Sequence, residues 1–279
     1  MNPSATRAVF SALIVIVFFA YAVPSHAAEC DNWQSNHPSW LWCDSFEAST
    51  ALSERYEDVG SNGLSQSSED AFDGSRSLRQ TYEPGQVSAG WVIKVRDEGF
   101  PDHIFFRWYH KFGPDYTRFP PKMARAGYRI RSGDWDSVFR VHIWTDEEDH
   151  KLTADVLARN SSQTSSDWLP LKKSDFSFLD YLQEWVAIEV EIQLNSPGKT
   201  DGLYRVWING ELSIEALGVD LRGNTEDRIN EVMLDGYWNG GSTGNLARYF
   251  DNFVIARSRI GLFGNQVTRP LPPSALQTD

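Results

Sequence analysis

Cysteine and histidine are nearly absent: 2 Cys and 6 His in 279 residues. That leaves no recognisable zinc-ligand spacing. A cysteine nucleophile is disfavoured as well, and the chain has no G-x-S-x-G elbow for serine chemistry. Positive charge is also short, with 26 Lys and Arg against 38 Asp and Glu and a formal charge of −12. This deficit argues against nucleic acid or an anionic membrane surface as the main partner. No segment beyond the N-terminal leader shows sustained 3.6-residue periodicity, and no internal repeat is visible. The one long apolar run, residues 8–23, is broken only by Ser11.

That run reads as a targeting signal. Arg7 supplies a positive start, and Ser25-His26-Ala27 places small residues before a cleavage point. The run is shorter than the about 20 residues of a membrane span, although an uncleaved anchor is the alternative. A lipoprotein is disfavoured by Ala-Ala-Glu29 before Cys30. Residues 1–27 are thus expected to be a signal peptide, with the mature chain secreted or periplasmic and no membrane contact after cleavage. In an oxidising compartment Cys30 and Cys43 should form a disulfide, closing residues 28–44 into a loop. The chain-entropy model assigns such a loop about 3 kcal/mol. One domain over residues 45–262 and a flexible tail over 263–279, containing Arg269-Pro-Leu-Pro-Pro273, complete the expected layout. A monomer is expected.

What is abundant is aromatic: 13% of residues, including 11 Trp. Trp-rich, His-poor chains often stack sugars, though tryptophan also fills sandwich cores. The clearest pattern lies in residues 185–212, WVAIEVEIQLNSPGKTDGLYRVWINGEL. Val186, Ile188, Val190, Ile192 and Leu194 alternate with polar residues, then Tyr204, Val206 and Ile208 alternate with Arg205, Trp207 and Asn209. Period two with one apolar face predicts half-buried antiparallel strands, and Asn209-Gly210 suits a tight turn with positive φ. Further strands are expected at 77–82, 88–95, 105–112, 128–131, 137–144, 152–158, 231–237 and 249–256, with one helical turn within 176–183. Many short strands without intervening helices indicate an all-β antiparallel β-sandwich.

Charge is uneven within that pattern. Arg107, Lys111, Arg118, Lys122, Arg125, Arg129 and Arg131 are accompanied by a single acid, Asp115. Strand parity puts Arg107, Tyr109 and Lys111 on one face of their strand, and Arg140, His142 and Trp144 opposite the core face of another. A groove bearing Arg, His, Tyr and Trp would suit an anionic polysaccharide, because rings stack on pyranoses and guanidinium groups pair with carboxylates. Asp146-Glu-Glu-Asp149 reads as a solvated turn, since its spacing matches no Ca²⁺ loop.

Several segments together carry a resemblance: SFE near residue 45, DGSRSLR, HKFGPDYTRFPPKMARAG, the LNSPGKTDGLYRVWINGEL hairpin and YFDNFVIA. The chain resembles polysaccharide lyases of the alginate and glucuronan lyase families 14 and 20 over residues 46–260. The resemblance implies a concanavalin A-like jelly roll. In the lyases an FGPDY-like strand end precedes a Gly-Lys-Leu-Pro-Gly-like loop whose lysine lines the cleft, and Lys122 falls on that lysine. Pro121 and Met123-Ala124-Arg125 depart from the pattern on either side. The lyases carry Ser-x-Arg on the next strand, where this chain has Arg140 and His142. They carry paired tyrosines on the one after, where LTADVLAR has none.

The resemblance implies metal-independent β-elimination on a uronic-acid-containing polysaccharide, without organic cofactor. Lys122 or His142 is the expected base, and Tyr109 or Tyr237 the expected proton donor. Arg140 and Arg107 would neutralise the substrate carboxylate, with Lys111, Trp144, Arg205 and Trp207 as further substrate contacts. Two other functions stand beside it. One is a non-catalytic, lectin-like carbohydrate-binding module. The other is a jelly-roll glycoside hydrolase, for which Glu189 and Glu191 are the nearest carboxylate pair. Which polysaccharide and which linkage are not encoded in these patterns.

Overall fold

A computed structural model describes residues 28–117, 122–129, 137–146, 148–158 and 169–264. The leader (1–27), Arg118, Arg131 and the tail from residue 265 lie outside the described residues. The strands are β1 (Trp40–Asp44), β2 (Asp58–Gly60), β3 (Leu64–Ser67), β4 (Ser77–Tyr82), β5 (Trp91–Val95), β6 (His103–Phe112), β7 (Lys122–Arg129) and β8 (Ser137–Thr145). They continue with β9 (Lys151–Ala158), β10 (Leu169–Ser177), β11 (Val186–Gln193), β12 (Gly202–Ile208), β13 (Glu211–Val219), β14 (Glu231–Leu234) and β15 (Leu246–Ala256). A helical turn, α1 (Trp33–Asn36), precedes β1, and a 3-10 turn covers Phe178–Tyr181, inside the segment expected to be helical. No described helix is long and apolar enough to cross a membrane.

All pairings are antiparallel, in two sheets. The first has the order β13-β12-β11-β6-β15-β4-β3, with β1 added against β15. The second has the order β10-β9-β8-β7-β14-β5-β2. This is the antiparallel β-sandwich the alternation predicts and the jelly roll the resemblance implies. The β11–β12 hairpin shows why: Ile188 faces Ile208, Val190 faces Val206 and Ile192 faces Tyr204, and all six are buried. Burying one such side chain contributes about 1.5–3 kcal/mol, so this face fixes the register; a one-residue slip would turn every apolar group outward. Asn209 and Gly210 both have positive φ, 51° and 84°, and form the two-residue turn into β13.

Two expectations of element placement need correction. Lys122 opens β7 rather than sitting in a loop before a strand at 128. The sequence KMARAGYR is rich in Ala and Gly, poor strand formers on their own, and is held extended by β8 on one side and β14 on the other. β14 stops at Leu234, so Tyr237 lies beyond the ladder in an isolated bridge to Ser88. Strands β1, β2, β3, β10 and β13 carried no expectation; most are short or polar, and β10 contains Pro170.

Residues of the two inner faces form one core that includes Phe106, Trp108, Phe139, Val141, Ile143, Val190, Phe250 and Phe253. Tyr116 of the FGPDY segment belongs to it, packed edge-on against Phe112 at 4.6 Å, so that motif shapes the strand end. Cys30 and Cys43 are disulfide-bonded, and the closed loop packs Trp40 and Cys43 against Val254 and Ala256 of β15. On the outward face of the second sheet the Arg129 side chain of β7 reaches Asp58 of β2 across β14 and β5, with Nη2 3.2 Å from Oδ2.

Candidate functional site

The register aligns side chains across the outward face of the second sheet. Directly paired residues point the same way, so Asp58, Ile93, Met233, Arg125, His142 and Asp155 form one row across β2, β5, β14, β7, β8 and β9. Arg140 stands in the adjacent row opposite Gly127, and Lys122 opposite Trp144. A Cβ at Gly127 would lie 2.3 Å from the Phe139 carbonyl oxygen; glycine lets β7 and β8 close up there beside Arg140. Tyr237 joins from the segment after β14, its ring centroid 4.3 Å from Lys122 Nζ.

Carboxylates are interleaved with these cations. Arg125 Nη1 is 3.5 Å from Asp235 Oδ2 and its Nε donates to Met233 Sδ. Arg129 Nε is 2.8 Å from Glu231 Oε2, and His142 Nδ1 is 3.3 Å from Asp155 Oδ1. Lys122 makes no ion pair among the described residues; the Tyr237 ring is its neighbour. The basic block is therefore largely compensated here, with Lys122, Arg125, Arg129 and Arg140 facing Asp58, Asp155, Glu231 and Asp235.

The electrostatics separate the roles. Burial pushes the Lys122 amine below its ordinary range; Asp235 opposes this, while Arg125 and Arg140 add to it. The neutral amine is thus more accessible to Lys122 than to an exposed lysine. Burial, then Arg125, lower Arg140 to about 10, which leaves it cationic at neutral pH. Burial also lowers His142, against the pull of Asp155, so the imidazole is neutral. Burial would raise Asp235, but Arg125, His142 and Lys122 together hold it below the usual carboxylate range.

The sequence pattern put more residues at one site than the fold does. Lys122, Arg140, His142, Trp144 and Tyr237 come together. Arg107, Tyr109, Lys111, Arg205 and Trp207 lie on the outward face of the first sheet, on the other side of the sandwich, because β6 and β12 belong to that sheet. There they are engaged. Arg107 is fully buried against Glu29, 2.5 Å away, beneath the disulfide loop. The Tyr109 hydroxyl accepts from Phe263 N–H at 2.8 Å, and its ring stacks on Phe72. Lys111 pairs with Asp70 at 2.6 Å. Arg205 bridges Glu191 and Glu215, and Trp207 lies under Arg259. Arg205 and Trp207 are therefore engaged on the outward face of the first sheet, away from Lys122.

Glu189 and Glu191 share that outward face. Glu189 accepts the backbone N–H groups of Ile260 and Gly261 at 2.6 and 3.0 Å, and Glu191 binds His103 and Arg205. Both carboxylates are committed to tying down neighbouring segments, which removes the hydrolase pair. The 146–149 turn is knit by Lys173, which bonds Asp146 and Asp149. The sequence reading passed over the carboxylates Asp235, Asp155 and Glu231, whose places at the site are set by pairings across strands.

The family model described as Polysaccharide lyase 14 matches residues 141–254. No curated protein sequence matches. Among solved structures, the chain is similar to the PL-14 alginate lyase from Aplysia kurodai, with a TM-score of 0.61 and 17% identity over 77% of this chain and 98% of that one. It is similar to the alginate lyase vAL-1 from Chlorella virus, with a TM-score of 0.57 and 16% identity over 83% and 98%. It is also similar to the endo-β-1,4-glucuronan lyase from the fungus Trichoderma reesei, with a TM-score of 0.53 and 16% identity over 78% and 91%. In fold and in its family match, the chain resembles the jelly-roll polysaccharide lyases of the alginate and glucuronan lyase group.

Proposed function

We propose that the chain is an exported polysaccharide lyase that cleaves a uronic-acid-containing polysaccharide by β-elimination, with the outward face of the second sheet as its active site. One observation carries the reading. A lysine with a depressed pKa, without an ion-pair partner among the described residues, stands beside a tyrosine ring in a face lined by Arg125 and Arg140. The family match over residues 141–254 supports it.

The chemistry follows from those groups. Arg140, with Arg125, neutralises the C6 carboxylate and stabilises the enolate-like charge that develops as C5–H breaks. Neutral Lys122 takes the C5 proton. The C4–O4 bond breaks as the C4–C5 double bond forms, and the Tyr237 hydroxyl protonates the departing oxygen. Lys122, now an ammonium over the Tyr237 ring, is stabilised by the ring face and returns its proton to the phenolate, closing the cycle. His142, neutral and oriented by Asp155, packs next to Arg125 as a hydrogen-bonding partner for sugar hydroxyls. The steps use side chains alone and call on no metal or cofactor.

A second reading rests on a specific feature. The outward residues of β9 are Thr153, Asp155 and Leu157, with no tyrosine, and the floor's cations are matched by carboxylates. A carbohydrate-binding module would tolerate both. Digestion of alginate, glucuronan and other polyuronates by the purified mature chain separates the two. New ultraviolet-absorbing unsaturated uronate ends, lost in Lys122→Ala, are expected. Binding without turnover, unchanged by Lys122→Ala, would replace the lyase by the module.

A further inference from the structure

A buried arginine beneath the site has no counterpart in the chemistry above. Arg248 of β15 is fully buried between the sheets and, among the described residues, makes no ion pair. Its surroundings are aromatic: the Phe250 ring lies 5.0 Å from the guanidinium carbon and the Tyr82 ring 5.8 Å. His110, the titratable neighbour on β6, is kept neutral by burial and by Arg248 itself. An unpaired cation in such a place is costly, so the bonds it makes are informative.

All but one go to the backbone of the site. Arg248 Nη1 and Nη2 each donate to the Lys122 carbonyl at 3.4 Å, and Nη2 donates to the Asp235 carbonyl. Its Nε donates to Gln80 Oε1 at 2.7 Å. Gln80 in turn donates to the Gly90 carbonyl at 2.8 Å, and the Tyr82 hydroxyl donates to the Gly236 carbonyl at 2.9 Å. Three side chains from the inner face of the first sheet thus cross the core to hold the backbone at 90, 122, 235 and 236. Lys122 is the first residue of β7, and Asp235 the first residue after β14. The β7–β14 ladder ends there, its last rung being Leu234 opposite Ala124. Carbonyls beyond a ladder's end need partners when buried, and Arg248 reaches two on adjoining strands with one planar fork. Gly236 is part of the fit: a Cβ there would lie 2.7 Å from Gln80 Nε2 and 2.2 Å from the Gly90 carbonyl oxygen.

We propose that Arg248, braced by Gln80 and accompanied by Tyr82, is the positioning residue of the site, fixing from within the core the two strand ends that present Lys122 and Tyr237. This deepens the reading of Lys122 as the base and rests on it for its catalytic consequence. The placement itself can be tested without turnover. The charged groups facing Lys122 are Asp235 after β14, Arg125 on β7, Arg140 on β8 and Asp155 on β9. Loosening the strand ends lets water reach the amine and relieves the burial that lowers it, so the Lys122 pKa should rise.

The experiment is competitive acylation of lysine amines across pH, read at Lys122 by mass spectrometry, on wild type, Arg248→Met and Arg248→Lys. In Arg248→Met the Lys122 midpoint should climb, with labelling at a fixed pH below the midpoint falling about tenfold per pH unit of climb. Arg248→Lys, which keeps the charge but cannot span both carbonyls, should fall between. Polyuronate turnover on the same proteins should show kcat reduced and KM little changed. An unchanged midpoint in whichever variant folds overturns the proposal, whatever its melting temperature, since a merely structural role would lower stability without moving the amine. Absence of turnover in wild type defeats the lyase reading alone and leaves the labelling result standing.

Discussion

The outward faces of the two sheets both carry arginine and lysine, yet their cations are held differently. On the first sheet Arg107, Lys111 and Arg205 sit against Glu29, Asp70 and the Glu191–Glu215 pair, and the ion pairs close the face under the disulfide loop and the segment after β15. On the second sheet Arg125 adds to the burial that lowers Lys122 and Arg140. Arg125 and Arg129 are paired there as well, with Asp235 and Glu231. The difference lies at Lys122, which makes no ion pair among the described residues and faces a tyrosine ring instead, where an anionic substrate can gain from its charge.

The largest effect should come from Lys122. Replacement by Met removes the base, and kcat should fall about 10²- to 10⁴-fold while the melting temperature changes little, because the side chain is only half-buried. In wild type the rate should rise with pH along a limb centred below the ordinary lysine value of 10.5, since only the neutral amine accepts the C5 proton. A rate that does not rise with pH would break the contrast between the two faces.

Arg107→Met is the reciprocal test. It leaves Glu29 buried without its partner, and breaking a buried pair costs about 3–5 kcal/mol, measurable by denaturant unfolding. Turnover per folded molecule should be unchanged. If this variant loses kcat at full folding, the first sheet takes part in catalysis and the comparison collapses.

Asp251, at the centre of the first sheet, gives a smaller and pH-dependent effect. It is fully buried, accepts N–H groups from Phe72, Asp73 and Asn252, and burial drives its pKa well above the ordinary value of 3.8. The folded state therefore binds this proton more tightly than the unfolded chain does. Stability contributed here is present below the unfolded value and lost as pH rises through the window up to the folded one, with a slope of at most about 1.4 kcal/mol per pH unit. Asp251→Asn should remove that component from a plot of unfolding free energy against pH. The same slope in variant and wild type would refute it.

How much of this was legible in the sequence depends on locality. The period-two runs of β6, β8, β11 and β12 announce their faces, and Asn209-Gly210 announces its turn, because those signals are set by neighbours in the chain. Lys122, Arg140 and His142 share one face because β7 and β8 are adjacent in sequence and in the sheet, though Lys122 was singled out through the family resemblance and expected in a loop. Arg107 and Tyr109 were misplaced because parity states which face of a strand a residue takes but not which sheet the strand joins. Asp235 and Arg248 were invisible as site elements for the same reason. Arg125, the ion-pair partner of Asp235, lies 110 positions away, and Lys122, whose carbonyl Arg248 holds, lies 126 positions away, across strand pairings that only the assembled sandwich defines.

The smallest expected effect is also the sharpest check on that sheet assignment. Arg205 and Trp207 have the composition of a sugar-binding pair, and sequence parity offered them as one. The structure spends Arg205 on Glu215 at 2.6 Å and Glu191 at 3.3 Å, with its side chain 29% exposed. At that exposure an ion pair is worth about 0.2–1 kcal/mol, and the part seen at low ionic strength should fade as salt screens it. Arg205→Ala should therefore lower stability by no more than that and leave oligouronate affinity and turnover at wild-type values, whereas Arg140→Ala weakens both. The discriminating measurement is calorimetric titration of the same oligouronate into the two variants, made in the Lys122→Met background so that the ligand survives. If Arg205→Ala loses affinity and Arg140→Ala does not, the binding face has been placed on the wrong sheet, and Lys122 with it.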